Sequence, residues 1–149
     1  MEHTESKFKI QGGCFCGNIR YTFTSPIPLP EIPIRACSCE FCTRHGNRYT
    51  SNPNGELDIV IQDKEKVNEV RFASKTVAFC FCTECGVMPY VDGIIDGNRY
   101  AVVNVNTFDE IDLPNVELKF LDLGAQTKDE KIDRRKKVWI PKVNIRNPS

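Results

Sequence analysis

The sequence predicts a mainly β protein, and three observations carry that reading. Apolar residues alternate with polar ones over short runs. Gly, Pro, Asn and Asp separate the runs. No segment carries a sustained apolar stripe at helical spacing.

Taken in order, "FKIQGG", "NIRYTFT", "ELDIVIQ", "EVRFAS", "TVAFCF", "RYAVVNVNTF" and "VELKFLDL" each read as a strand rich in Val, Ile, Phe and Tyr. "SPIPLPEIP" holds four prolines in nine residues, which suits an extended loop and excludes a central strand. "NPNGE" at 52–56 and "DGIIDGN" at 92–98 read as turns, with Asp92 and Asp96 as turn formers. Helix is scarce: "DKEKVNE" and "KDEKIDRRKK" offer at most a turn, and the second, six bases beside three acids, reads as a solvated face or tail. Residues 1–142 are expected to form one domain and 143–149 a C-terminal tail that frays.

With 149 residues the chain is long enough to bury a core without help from metals. Twenty basic and twenty acidic residues cancel, so charge argues against a nucleic acid or an acidic membrane as partner. The polar start and the lack of a long apolar run predict a soluble, cytoplasmic protein.

Eight cysteines in a reducing compartment point to metal rather than to disulfides. They fall into three groups: Cys14 and Cys16, then Cys37, Cys39 and Cys42, then Cys80, Cys82 and Cys85. A closed tetrahedral site takes two pairs from separate loops, which matches "CFCG" with "CTECG" and leaves Cys37, Cys39 and Cys42 on one loop. Three ligands and an open fourth position describe a catalytic zinc, and three thiolates suit it to a soft thiol ligand. Two other readings stay open at this level. Cys80 would complete a second closed Cys₄ site in a structural or protein-binding module, or it is a buried strand thiol that ligates nothing.

"GGCFCGNIRY", "CSCEFCTRHG", "FCFCTECGVMP" and "YAVVNVNTFDEIDL", in this order, resemble the glutathione-dependent formaldehyde-activating family, also called the Gfa/CENP-V domain. The resemblance implies a β-tent, Mss4-like fold with two zinc ions per chain. By motif, Cys14, Cys16, Cys82 and Cys85 match the structural ligands and Cys37, Cys39 and Cys42 the active-site ligands. It implies a carbon–sulfur lyase whose partner is a small thiol adduct such as S-hydroxymethylglutathione. Ser38 stands where the family often has histidine, Thr43 where a basic residue commonly follows, and Cys80 has no counterpart. His45 and Tyr49 are the candidates for proton transfer, and Arg44 and Arg48 for holding a substrate carboxylate.

Overall fold

The computed structural model describes residues 7–37, 39–71, 76–110, 118–121 and 127–148, with backbone alone for 30, 37 and 118–121. The architecture is mainly β, as expected. Strands β1 (Phe8–Gly13), β2 (Ile19–Ser25), β3 (Ile34–Cys37), β4 (Tyr49–Thr50), β5 (Glu56–Ile61) and β6 (Val67–Val70) are followed by β7 (Ala78–Cys82) and β8 (Tyr90–Ile95). After them come β9 (Asn98–Asn104), β10 (Leu118–Leu121) and β11 (Lys142–Arg146); helices α1 (Glu40–His45) and α2 (Lys128–Val138) interrupt the series.

The strands form two sheets. One has the order β1-β2-β5-β11, the other β10-β3-β4-β9-β8-β7-β6. Alternation explains how they meet: Tyr21, Phe23, Leu57 and Ile59 of the smaller sheet pack against Ile34, Ala78, Tyr90, Ala101 and Val103 of the larger. The intervening residues of the larger sheet face outward into a second apolar cluster, where Val77, Val91 and Val102 meet Cys42, Tyr49 and Trp139. The larger sheet is therefore covered on both faces. That accounts for β8, which the sequence reading took for a turn. "YVDGII" is buried at five of its six positions, so it lacks the polar alternate positions by which a strand is read. Asp92 is accordingly a buried strand residue, whereas Asp96 does take the turn, at φ 53°.

Two further segments differ from expectation. Residues 142–146, mostly assigned to a tail, form β11, which pairs in parallel with β5 from Lys142 opposite Glu56 to Arg146 opposite Val60. The basic stretch becomes the 11-residue helix α2. A capping box starts it: Thr127 Oγ1 accepts from the Glu130 amide at 3.1 Å, and Glu130 Oε1 accepts from the Thr127 amide at 3.3 Å. Its far end is anchored by Trp139, which is buried under the Arg135 guanidinium 5.3 Å from the ring centroid. No helix among the described residues is long and apolar enough to cross a membrane. Thr127→Ala is expected to lower stability by about 1 kcal/mol, read as a lower urea midpoint with an unchanged slope.

Candidate metal centre and active site

The loop from β1 to β2 carries Cys14 and Cys16, and the loop from β7 to β8 carries Cys85 just after Cys82 ends β7. The two loops are built alike. The Cys14 amide donates to the Ile19 carbonyl at 2.9 Å, and the Cys82 amide to the Val87 carbonyl at 3.0 Å. Gly17 and Gly86 turn the chain at φ 87° and 78°, a region that residues with a Cβ rarely enter. Together the loops bring Cys14, Cys16, Cys82 and Cys85 into one group whose sulfurs all lie within 4.8 Å of one another.

Cys14 Sγ is 3.7 Å from Cys16 Sγ, which is 3.5 Å from Cys82 Sγ. Four thiolates on a tetrahedral ion with bonds of about 2.3 Å are separated by about 3.8 Å, so this donor set fits a metal ion. Backbone amides serve the sulfurs as well: the Ile19 N–H donates to Cys14 Sγ at 3.3 Å. Burial pushes the Cys14 and Cys82 thiols up. At Cys85 burial acts the same way, but hydrogen bonds from the amides of Val87 and Cys16 and from the Cys82 and Cys14 side chains together bring the thiol down to about 6. A dication would supply the charge that holds all four as thiolates.

Cys80 stands outside this group. It lies two residues before Cys82 and so on the same face of β7, but about 7 Å short of it along the strand. Its sulfur is buried 3.6 Å from Asp92 Oδ1, and Asp92 pairs with Arg99. Burial and the Asp92 charge push the Cys80 thiol up, so it behaves as an inert neutral side chain.

Cys39 and Cys42 lie on the other face of the same sheet, at the start of α1. Cys39 caps the helix, its sulfur accepting from the Cys42 amide at 3.4 Å. Cys42 is buried, with its sulfur 3.6 Å from the Tyr49 hydroxyl. That hydroxyl accepts from Asn47 Nδ2 at 3.1 Å. Asn104 Nδ2 in turn donates to Asn47 Oδ1 and to the Met88 carbonyl, both at 3.0 Å. Asn47, Tyr49 and Asn104 are all buried, so a polar chain crosses an apolar cluster and ends on Cys42. Sequence reasoning missed both asparagines; the only signal was an asparagine inside the apolar run "AVVNV". The Cys37 side chain lies outside the described residues, so two of the three expected ligands can be placed.

The remaining candidates sit further out. His45 is exposed, its ring centroid 4.5 Å from that of Phe41. Arg44 is exposed and paired with Glu40 at 2.6 Å, while Arg48 Nε donates to Asn106 Oδ1 at 2.7 Å. Arg35, which the sequence reading passed over, is half-buried in β3 and donates to Ser51 Oγ at 2.6 Å. Burial and the nearby charge of Arg134 lower its guanidinium to about 10.

Cys16 is the exposed member of the four-sulfur group, so Cys16→Ser removes a ligand with little loss of packing. It is expected to release about one metal equivalent and lower the thermal midpoint, and the difference from wild type should vanish in excess chelator.

Among solved structures, a Rhodobacter sphaeroides protein matches at 21% identity with a TM-score of 0.49, over 73% of this chain and 99% of that one. The model of the glutathione-dependent formaldehyde-activating enzyme family matches residues 9–121, which take in both cysteine centres, and the chain belongs to that family.

Proposed function

We propose that the protein is a zinc-dependent carbon–sulfur lyase acting on the hydroxymethyl adduct of a glutathione-type thiol. One zinc would be held by Cys14, Cys16, Cys82 and Cys85 and a second by Cys37, Cys39 and Cys42. The observation that carries this reading is the buried Asn104–Asn47–Tyr49 chain that ends on the Cys42 sulfur. A thiol with only a packing role needs no such chain, and buried polar groups are costly unless each is satisfied.

The reaction is simple to balance. The adduct hydroxyl gives up its proton, its electron pair forms the carbonyl of formaldehyde, and the C–S pair leaves with sulfur, which takes a proton back. A zinc at the second site would supply the positive charge at which the thiol sulfur ionises near neutral pH. The chain's own residues set the surroundings. Tyr49 holds Cys42 in one orientation through its hydroxyl. Cys42, Tyr49, Val91, Val102 and Trp139 exclude water from that side. His45 is exposed one helical turn beyond Cys42, where it would pass the proton between the adduct and solvent.

Zinc-loaded protein mixed with glutathione and formaldehyde is expected to accelerate adduct exchange followed by NMR. Cys42→Ser should keep its circular dichroism and about one zinc while losing that acceleration. Wild-type protein carrying two zinc equivalents without any acceleration would overturn the lyase reading. Tyr49→Phe keeps the ring and removes the hydroxyl, and the rate is expected to fall about 10-fold to 100-fold, the usual effect of losing a hydrogen bond to a metal ligand.

A further inference from the structure

We propose that Arg35 binds a carboxylate of the substrate, in an anion subsite between β3 and the C-terminal end of α2. This rests on the reading above that the Cys39–Cys42 site takes a thiol, and it adds the charge that the thiol must carry.

The placement comes from strand register. Arg35 lies directly opposite Tyr49, and Tyr49 directly opposite Asn104, in antiparallel pairs across β3, β4 and β9. Opposed residues project to the same face with Cβ atoms about 5 Å apart, so the three form one row. Ile34, one residue before Arg35, belongs to the core between the sheets, which turns Arg35 to the outer face with Tyr49. The Tyr49 hydroxyl reaches Cys42 from that row, and the guanidinium extends from the same row to Ser51, two residues beyond Tyr49.

Arg35 differs from other arginines of the described residues in its partner. Arg20, Arg44, Arg71 and Arg99 each pair with a carboxylate, on Asp109, Glu40, Glu69 and Asp92. Among the described residues, no carboxylate pairs with Arg35; its hydrogen bond goes to Ser51 Oγ, which donates to the Val138 carbonyl at 2.7 Å. That contact ties the guanidinium to the end of α2, whose carbonyls carry about half a negative charge. The same end also carries Arg134, half-buried, and Arg135, buried, and the Arg134 charge acts on Arg35 there. Among the described residues, one N–H of the guanidinium goes to Ser51, and the planar fork is the donor geometry that matches a carboxylate. Glutathione-type thiols carry two carboxylates, and the Arg35 fork suits one of them.

The test is calorimetric binding of S-methylglutathione, whose blocked sulfur removes the thiolate, and of its dimethyl ester, which lacks both carboxylates. Wild-type, metal-loaded protein is expected to bind the acid more tightly than the ester. Arg35→Gln should weaken the acid roughly tenfold or more and leave the ester unchanged, with Arg35→Lys recovering part of the loss. If Arg35→Gln binds the acid as wild type does, or weakens acid and ester equally, the subsite is wrong. Equal binding of acid and ester by wild type, or no binding of either, overturns it too. A purely structural role would lower the thermal midpoint of Arg35→Gln without moving the acid-to-ester ratio. Binding needs no turnover, so the outcomes separate: Arg35-dependent binding without lyase rate removes the reaction and keeps the subsite. Full lyase rate with an unchanged KM for glutathione in Arg35→Gln does the reverse.

Discussion

Much of the arrangement depends on four sulfurs meeting between two sheets. Cys14 and Cys16 come from the loop that joins the first two strands of the smaller sheet, and Cys82 and Cys85 from a loop of the larger one. No covalent bond otherwise joins these loops, which are 66 residues apart between Cys16 and Cys82. Burying thiolates this close without a counter-charge is unfavourable, and burial is what raises the Cys14 and Cys82 thiols. A metal ion held there would reverse the sign of that interaction, and its binding energy would become folding energy for the contact between the sheets.

The larger sheet works as a partition. Its inner face carries Cys80, Cys82 and Tyr90 against the smaller sheet, and its outer face carries Val91 and Val102 against the cluster that holds Cys42, Tyr49 and Trp139. Strict alternation along β7, β8 and β9 thus separates the two cysteine centres by the thickness of one sheet. The same alternation disposes of the apparent repeat between "CSCEFC" and "FCFCTECG". In the second copy the C-x-C lies on a strand, which sends Cys80 to the core beside Asp92. In the first, Cys39 caps a helix and Cys42 lies within it, so the same spacing takes a different shape.

How much of this was legible follows from which interactions are local. Strands such as β1 and β5 alternate against solvent on one face, and "FKIQGG" and "ELDIVIQ" give them away. The strand β8 is buried on both faces and contains an Asp-Gly step, so its sequence resembles a turn. The helix α2 has almost no apolar stripe; a capping box and the packing of Trp139 and Val138 hold it, and only the cap is written locally, as Thr127 and Glu130. The grouping of Cys14 and Cys16 with Cys82 and Cys85 was readable because each pair comes from a single tight loop. Arg35, Asn47 and Asn104 were not, because their meaning lies in partners from distant strands, as in the Asn47–Asn104 bond across 57 residues.

Those long-range bonds also couple the two centres. The segment 86–89 leaves the four-sulfur loop with its Val87 amide on the Cys85 sulfur and its Val87 carbonyl on the Cys82 amide. The next carbonyl, of Met88, accepts from Asn104 Nδ2, and the Pro89 carbonyl accepts from the Asn104 amide at 2.8 Å. Asn104 then holds Asn47, which orients Tyr49 onto Cys42. Each link is a single hydrogen bond worth about 1 kcal/mol net; Cys85 and Val87 are half-buried, but Met88, Asn104, Asn47, Tyr49 and Cys42 are buried, so over that part of the series a shift in one group leaves another unsatisfied. Whatever fixes the first set of sulfurs therefore fixes the position of the hydroxyl that meets the second. In this chain the four-sulfur group and the Cys39–Cys42 pair are two ends of one hydrogen-bonded support.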